Sequence, residues 1–161
     1  MRISIVAVGR MKAGPERELA ARFLDRALTS GKALGLSGFS VTELPESRAS
    51  SADARKAEEA RAIEDALPER AVLIALDERG KSVSSLDFAN RIGQWRDMGR
   101  TALVLVLGGA DGLSPQLRTA ADLVLSFSAM TWPHQLARIL VAEQLYRATT
   151  ILSGHPYHRG D

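Results

Sequence analysis

Apolar and polar residues follow a pattern along the chain that predicts five strands, each followed by a helix. The strands are short runs of aliphatic and β-branched residues, and the helices have apolar residues three and four positions apart. The predicted strands lie at 3–8, 39–44, 71–76, 101–107 and 123–127, and the helices start near residues 15, 53, 84, 115 and 134. Ser84 and Ser85 are candidate caps of the third helix, and the mixed charges of the second helix favour a solvated face. Regular alternation of this kind predicts an α/β domain with a mostly parallel sheet flanked by helices.

Two of the predicted strands, 101–107 and 123–127, carry almost no charge. Strands of this type are buried on both faces, as in the middle of a parallel sheet. Ligands of such sheets bind at the carboxyl ends of the strands. We therefore expect the loops that follow Leu107 and Phe127 to form the functional site.

The composition indicates one globular domain covering residues 1–161. The chain is 45% hydrophobic and 25% charged, which argues against disorder. It contains no cysteine, which excludes disulfides, thiolate metal sites and a cysteine nucleophile. No apolar run approaches the roughly 20 residues that span a bilayer, and the apolar start is too short for a secretory signal. We expect a soluble cytoplasmic protein.

The net charge of +2 is only mildly basic, but its distribution is uneven. The last part of the chain contains all three histidines and three arginines: His134, Arg138, Arg147, His155, His158 and Arg159. Imidazole and guanidinium groups are suited to contact phosphate. A solvated terminus explains the same composition equally well, so this pattern alone leaves both interpretations open.

Two loops contain glycine in patterns close to nucleotide-binding motifs. Gly80-Lys81-Ser82 matches the end of a P-loop, but Ala75, inside a predicted strand, occupies the position where that motif requires its first glycine. A plain turn, within a loop over 77–83, is therefore favoured. The run from Gly108 to Gly112 is spaced differently from a dinucleotide fingerprint. It either lets a flat ligand approach the backbone closely or forms a tight turn with positive φ.

The remaining candidate chemistry lies in the loop from Ser128 to His134 and in the segment from His155 to Arg159. The loop joins a buried strand to a long helix, and its backbone N–H and C=O groups can read the edge of an adenine. His134 is a candidate cap for that helix. In the terminal segment, Tyr157 and the histidines can stack on an unpaired base, and Arg159 can hold its phosphate.

Four sequence motifs, in order and at matching spacing, resemble those of one family. They are Leu-Gly-Gly-x-x-Gly-Leu-Ser at 107–114, Ser-x-Met-Thr-x-Pro-His at 128–134, Leu-x-Arg-x-Leu-x-x-Glu-Gln-Leu-Tyr-Arg at 136–147 and His-Pro-Tyr-His-Arg at 155–159. The family is RlmH, the ribosomal large subunit pseudouridine methyltransferases of the SPOUT superfamily, and the resemblance covers the whole chain. Ala110-Asp111 stands where relatives often have proline and an acidic residue, and Gly154 stands where asparagine is common.

The resemblance implies a SPOUT-type α/β fold with a trefoil knot over about residues 101–153, followed by a functional tail at 154–161. It implies S-adenosylmethionine as the cofactor, bound in a bent form by the knot loops. The matching cofactor-binding positions are Leu76, Gly108, Gly109, Ser128, Ala129, Met130, Thr131, Trp132 and Pro133. All of them except Leu76 lie in the loops inferred above from the charge-free strands, and Leu76 lies at the end of another predicted strand.

The resemblance also implies a homodimer, in which the knot helices form the interface and the tail of one subunit approaches the cofactor of the other. The implied substrate is N3 of a pseudouridine in 23S rRNA, in a stem-loop at the intersubunit surface of the assembled ribosome. The transfer needs no metal and no covalent enzyme intermediate. Because the net charge is modest, we expect weak binding to naked rRNA and recognition of the assembled particle by its shape.

An imide nitrogen must lose a proton when it is methylated, so a base or an anion-stabilising group is needed. His158 and Arg159 are the leading catalytic candidates, with Tyr157 orienting the base. His134 and Arg138 are the second candidates. The residues expected to contact RNA are His134, Arg138, Arg147, His155, Tyr157 and Arg159.

Three other functions fit part of the sequence. A non-catalytic ribosome-binding module would keep the basic tail, and failure to bind S-adenosylmethionine would favour it. A flavodoxin-like binder of flavin or nucleotide fits the strand–helix alternation alone and would purify as a yellow protein. A methyltransferase of small molecules would leave the aromatic and cationic tail without a use.

Overall fold

The computed structural model describes residues 1–159, in which five strands and five α-helices alternate as the sequence predicts. Gly160 and Asp161, which end the predicted tail, lie outside the described residues. The strands are β1 (Arg2–Val8), β2 (Ser37–Leu44), β3 (Val72–Lys81), β4 (Ala102–Leu107) and β5 (Leu123–Leu125). The helices are α1 (Pro15–Gly31), followed by a short 3-10 helix (Lys32–Leu34), then α2 (Ala52–Ala66), α3 (Ser85–Asp97), α4 (Pro115–Ala120) and α5 (His134–Leu152).

The five strands form one parallel sheet in the order β2-β1-β4-β3-β5. β4 is central, with Leu105 opposite Ile5 of β1 and Ile74 of β3. Every residue of β4 is buried. The absence of charge in this strand follows from that position, since neither face of the sheet meets water here. The predicted parallel sheet is confirmed.

Side chains alternate across the sheet and form two separate cores. On one face, Ile5 and Leu105 pack with residues of α1, α3 and α5. On the other face, Val6 and Val104 pack with residues of α2 and α4. Because β1 and β4 contribute to both cores, they are fixed from two sides. The carboxyl ends of the strands consequently form one rigid edge.

Serine side chains begin three of the helices. Ser51, Ser84 and Ser114 each accept a hydrogen bond at the side-chain oxygen from the backbone N–H three residues further on. The sequence names Ser84 as such a cap, and that prediction is confirmed. Pro15 and Pro115 stand at the starts of α1 and α4, where a missing N–H costs nothing. These contacts fix the points at which the loops from the strand ends enter their helices.

β3 differs from its prediction, because residues 77–81 continue the strand instead of forming a loop. The pairing with β5 shifts register between Leu76 and Lys81, so the strand is irregular there. A Cβ on Gly80 would lie 2.7 Å from backbone atoms of Val124 and Leu125. Glycine at this position therefore allows β5 to approach β3 closely, and the turn predicted around Gly80 is wrong.

The trefoil knot over 101–153 and the assignment of residues 1–161 to one domain stay predictions. Within residues 1–159, no helix has both the length and the apolar character needed to cross a bilayer.

Candidate functional site

A cavity of about 560 Å³ opens at the carboxyl ends of the strands. It is lined by the loops that follow β1, β2, β4 and β5, by the end of β3, by Arg118 of α4 and by the first turn of α5. Its volume lies in the range typical of small-molecule sites, roughly 300–1,000 Å³. Its position is the one expected for a ligand of a parallel sheet.

The glycine loop, residues 108–112, forms one wall of the cavity and closes on itself. The Gly112 N–H donates to the Gly109 carbonyl at 3.0 Å, and Gly112 has a φ of 78°. A Cβ on Gly108 would lie 2.7 Å from the carbonyl carbon of Gly112, and a Cβ on Gly109 would lie 2.9 Å from Glu59 Oε2. The tight-turn interpretation therefore applies to Gly112. Gly108 is required because backbone atoms lie so close, whereas a side chain at Gly109 would meet the carboxylate of Glu59.

Helix α2 holds the glycine loop from outside the cavity. Asp111 accepts two hydrogen bonds from Arg55, at 2.6 Å from Nε and 3.2 Å from Nη2, and Arg55 Nη1 donates to the Ala49 carbonyl at 3.0 Å. The hydrogen bond from Arg55 lowers the pKa of Asp111. One turn further along α2, Glu59 is buried and accepts a hydrogen bond at Oε1 from the Ser47 N–H at 3.0 Å. Arg55 and Glu59 thus join the glycine loop to the loop after β2.

The loop from Ser126 to Pro133 forms the opposite wall and is shaped by serine side chains. The Ser126 hydroxyl donates to the Ser128 carbonyl at 2.9 Å. The Ser128 oxygen accepts from the Met130 N–H and from Trp132 Nε1, each at 3.0 Å. Met130 and Trp132 remain exposed, by 73% and 42% of their surface. The loop therefore presents apolar side chains at the mouth of the cavity.

His134 connects the two walls. It is the first residue of α5, and Pro133, in the capping position, makes no side-chain capping bond. The imidazole Nε2 lies 3.0 Å from the Gly108 carbonyl oxygen. A carbonyl only accepts, so Nε2 carries the hydrogen and donates. The predicted helix cap is therefore wrong, and His134 instead ties the start of α5 to the glycine loop.

Arg138 is buried, with 5% of its surface exposed. Its Nη1 donates to Glu43 Oε1 at 2.6 Å, and its Nη2 donates to the carbonyls of Val8, at 3.3 Å, and Gly9. Burial alone would raise the pKa of Glu43, but hydrogen bonds from the Met11 N–H and from Arg138 lower it overall. Arg138 was expected to contact RNA and to serve as a second catalytic candidate. Its burial argues against both expectations, which stay predictions, because its guanidinium is used to anchor α5 to β1 and β2.

The tail folds back onto α5. The rings of Tyr157 and Tyr146 lie 4.7 Å apart, and the Arg147 guanidinium lies 4.9 Å from the Tyr157 ring centre. The Tyr157 hydroxyl donates to Glu143 Oε1 at 3.1 Å. Burial, and then the neighbouring Glu143 carboxylate, raise the pKa of Tyr157, so its hydroxyl stays protonated at neutral pH. Tyr157 is therefore a hydrogen-bond donor and not a base.

His158 is held by Arg147. Arg147 donates from Nε and Nη2 to Glu143 Oε1, at 2.9 and 2.6 Å, and Nη1 lies 3.3 Å from His158 Nδ1. Because guanidinium only donates, Nδ1 accepts, and in the neutral ring Nε2 carries the hydrogen. His158 Nε2 is buried and has no hydrogen-bond partner among residues 1–159. His155 and Arg159 are exposed, and the His155 Nδ1 accepts from the Tyr157 N–H at 3.2 Å.

Known proteins resemble this chain in sequence and in fold. A family model described as "Predicted SPOUT methyltransferase" matches residues 1–158. The chain belongs to the SPOUT methyltransferase family. Among its relatives, proteins from Allorhizobium ampelinum and Brucella anthropi are 61% and 60% identical over 159 residues, covering 99% of each chain. Both are named "Ribosomal RNA large subunit methyltransferase H".

Solved structures agree with the SPOUT fold. A probable methylase family protein from Haemophilus influenzae Rd KW20 matches with a TM-score of 0.53 at 14% identity, covering 99% of this chain and 70% of that one. A probable methyltransferase from Bordetella pertussis Tohama I matches with a TM-score of 0.52 at 15% identity, covering 91% and 95%. At these identities the likeness concerns the fold alone.

The structure gathers most of the predicted cofactor residues around the cavity of this SPOUT domain. Those that line it are Leu76, Gly108, Gly109, Ser128, Met130, Thr131 and Trp132, and His134 lines it as well. Ala129 and Pro133 belong to the same loop but not to the lining. None of the tail residues 154–159 lines the cavity. Tyr157 and His158 contact α5 around Glu143, which lies roughly 13 Å further along that helix than His134.

Three residues that organise the site were not predicted as site residues. Arg55 and Glu59 lie one turn apart on the same face of α2, but the many charges of that helix suggested a solvated face. That interpretation is wrong for Glu59, which is 6% exposed. Glu143 lies on the otherwise apolar face of α5. A lone carboxylate on such a face was the sequence signal that could have identified it as a site residue.

His134 is expected to make the stability of the fold depend on pH. Burial, and then the nearby Arg138 cation, lower the pKa of His134 below its ordinary value of 6.5. Below pH 6.5 the unfolded chain therefore binds a proton at His134 that the folded chain does not bind. The free energy of unfolding falls as the pH drops from 6.5 toward the pKa of His134 in the folded chain. Between pH 7.5 and 5.5 we expect the free energy of unfolding to fall less for His134→Gln than for wild type. The difference should be under about 1 kcal/mol, because the ring is partly exposed.

Urea unfolding across this pH range measures that difference. His155→Gln is the matched control, since His155 is an exposed histidine of the tail and should follow wild type. Parallel curves for wild type and His134→Gln would contradict the prediction.

Proposed function

We propose that this chain transfers the methyl group of S-adenosylmethionine to N3 of a pseudouridine in 23S rRNA on the assembled ribosome. The observation that carries the proposal is identity of about 60% along the whole chain with proteins named as large-subunit rRNA methyltransferases. The finer parts of the proposal, N3, pseudouridine and the assembled particle, rest on the four motifs at 107–114, 128–134, 136–147 and 155–159. The proposed substrate places the enzyme in the cytoplasm.

The residues around the cavity suit S-adenosylmethionine, which has an aromatic base, a sulfonium and an amino-acid end. Apolar side chains of Leu76, Leu107 and Phe127 line one part, and the charged groups of Arg10 and Glu46 line another. The glycine loop brings Gly108, Gly109 and Gly112 to the wall, together with Ala110 and Asp111. The cofactor, when bound, supplies an electrophilic methyl group.

The protein's own task is to hold the pseudouridine and to manage the proton of its N3 atom. In the observed arrangement the hydrogen of a neutral His158 ring is on Nε2, because Nδ1 is used by Arg147. This N–H is buried without a partner among residues 1–159, so the groups that cover it have to move before it can meet a substrate. A donor beside a permanent guanidinium charge stabilises the anion left when the imide loses its proton. Action of His158 as a base requires the hydrogen bond from Arg147 to Nδ1 to break first. Arg159, exposed beside it, is a further candidate for contact with RNA.

The tail of one subunit is proposed to complete the site of its partner in a homodimer. Within one chain, Tyr157 and His158 are bound to α5 through Glu143 and Arg147, away from the cavity. A second subunit would bring a tail to the cavity without unfolding that network. The exposed apolar side chains of Met130, Trp132 and Leu136 beside the cavity suit such an interface.

Sedimentation at micromolar concentration is expected to give about twice the chain mass of 17.4 kDa. Trp132→Glu, which places a charge in the proposed interface, should shift the equilibrium toward monomer. Met98→Glu is the control, because Met98 is 75% exposed at the end of α3, away from the cavity lining. A monomeric wild-type protein would leave the tail without the site that it is proposed to complete.

A non-catalytic ribosome-binding module is the second candidate, and both walls of the cavity count against it. Transfer of a labelled methyl group from S-adenosylmethionine tests the two together. The substrates are ribosomes lacking the modification and, separately, naked rRNA, with mass analysis of the nucleosides. Methylpseudouridine from ribosomes alone is the expected result, and product from naked rRNA as well would contradict the requirement for the assembled particle. Cofactor binding without transfer would mean a different RNA target, and failure to bind the cofactor would favour the module.

A further inference from the structure

The loop between β1 and α1, residues 9–14, displays two cations at the rim of the cavity. Arg10 and Lys12 are exposed, whereas Met11 between them is 5% exposed. Gly9 and Arg10 line the cavity, but Lys12 does not. The buried methionine directs its two basic neighbours outward, so the loop points its charge away from the protein.

Charged side chains fix this loop on both sides of Met11. The Met11 N–H donates to Glu43 Oε1 at 2.8 Å, and the Met11 carbonyl accepts from Arg17 Nη1 at 2.7 Å. Glu43 is in turn held by buried Arg138 at 2.6 Å. Contacts from β2, α1 and α5 therefore hold the backbone that carries Arg10 and Lys12. A ligand that meets these cations does not have to order the loop first.

The loop after β2 adds a third cation at the same edge of the sheet. The Gly9 N–H donates to the Leu44 carbonyl at 2.8 Å, so the two loops leave the sheet side by side. Arg48, in the second loop, is exposed. Within residues 1–159, neither Arg10, Lys12 nor Arg48 is in an ion pair. The two loops, residues 9–14 and 45–51, carry these three cations and one carboxylate, that of Glu46. The neighbouring Glu43 is already paired with Arg17 and Arg138, so positive charge is in excess here.

We propose that Arg10, Lys12 and Arg48, the basic rim, bind phosphates of the rRNA backbone beside the nucleotide that is methylated. The inference rests on the proposed function. Lys12 and Arg48 do not line the cavity, so a ligand that contacts all three cations has to extend beyond a cofactor-sized molecule. An RNA strand whose target nucleotide enters the cavity carries phosphates past its rim. Contacts to phosphate position a nucleic acid without reading its sequence.

The test uses Lys12→Gln, Arg48→Gln and the double variant in the full-length protein. Lys32→Gln is the control, because Lys32 is also exposed but follows the far end of α1, away from the cavity. KM for ribosomes and the salt dependence of ribosome binding are measured, together with the Kd for S-adenosylmethionine. Each rim substitution is expected to raise KM at least about threefold and to reduce the slope of log K against log salt by roughly 0.7–0.9. The control and the Kd for the cofactor should match wild type.

The outcomes separate the basic rim from the proposed function. If wild type methylates ribosomes and the rim variants behave like Lys32→Gln, the rim proposal is overturned and the function stands. A parallel loss of affinity for S-adenosylmethionine would also overturn it, since the rim would then act on the cofactor or the fold. If the rim substitutions weaken ribosome binding as expected but wild type transfers no methyl group, the basic-rim proposal is supported and the proposed function is contradicted.

Discussion

Gly108→Ala is expected to weaken binding of S-adenosylmethionine by about 10- to 100-fold, which corresponds to roughly 1.4–2.7 kcal/mol. The new methyl group would lie 2.7 Å from the Gly112 carbonyl carbon and 2.9 Å from the Leu113 nitrogen. Both are backbone atoms, so no side chain can rotate away, and the loop itself has to move. Overpacking of this kind costs about 1–3 kcal/mol. The Gly108 carbonyl also holds His134 at 3.0 Å, so the displacement reaches the opposite wall of the cavity.

Calorimetric titration with S-adenosylmethionine measures this effect, and a thermal melt verifies that the variant is folded. Gly112→Ala is the matched control in the same loop. A Cβ on Gly112 has no neighbour within 4 Å, and its only cost comes from a φ of 78°. We expect Gly112→Ala to lose stability, about 1–2 kcal/mol, with a smaller change in cofactor affinity than Gly108→Ala. Unchanged affinity in a folded Gly108→Ala variant would show that the glycine loop does not shape the cofactor site.

The sequence was sufficient for the fold because each strand carries its own signal. β4 is a charge-free apolar run, and its burial in the centre of the sheet follows directly from that composition. Ser84 indicates the start of α3, because its side-chain oxygen accepts a hydrogen bond from a backbone N–H of the first turn. β3 beyond Leu76 was missed, since the polar residues 77–81 resemble a loop. Their strand conformation depends on pairing with β5, which lies far away in the sequence.

The candidate site was predictable in its location but not in its internal contacts. Strand ends and glycine spacing indicated the cavity walls, because both are local properties of the chain. Arg138 shows the limit: its partner Glu43 lies on β2, and nothing near Arg138 in the sequence distinguishes a buried arginine from an RNA-binding one. The same holds for Arg55, whose partner Asp111 lies on the glycine loop. Pairings between distant elements are set by the packing of helices on the sheet.

In the tail the residue types could be interpreted from the sequence, but their contacts could not. Its residue types, Tyr157, His158 and Arg159, indicated chemistry that a solvated terminus does not need. The structure adds that Tyr157 and His158 are ordered by two residues of α5, Glu143 and Arg147. Because Arg147 occupies Nδ1 of His158, the available ring group is the Nε2–H donor, which is buried in the single chain and has to be uncovered to meet a substrate. This refines the proposed role from a base toward a group that stabilises the imide anion.

His158→Ala is expected to lower the rate of methyl transfer to ribosomes by about 10²–10³-fold under single-turnover conditions. That magnitude is typical for the loss of one donor aimed at a developing negative charge. The affinity of the free subunit for S-adenosylmethionine should stay near that of wild type, because His158 does not line the cavity of its own chain. His155→Ala, in the same tail, is the control. It should raise KM for ribosomes without a comparable loss of rate, since the exposed His155 is expected to contact RNA and not the reacting atoms.

His158→Gln separates the two chemical roles that remain for this histidine. Glutamine keeps an N–H donor but takes up no proton at neutral pH. If His158 stabilises the anion, His158→Gln should recover a substantial part of the rate lost in His158→Ala, with a pH profile between 6 and 9 shaped like that of wild type. If His158 is the base, glutamine should be as inactive as alanine, and both should lose the ionisation of the base from the pH profile. Wild-type rates for His158→Ala across this range would exclude both roles. Arg147 and Arg159 would then be the next candidates for stabilising the anion.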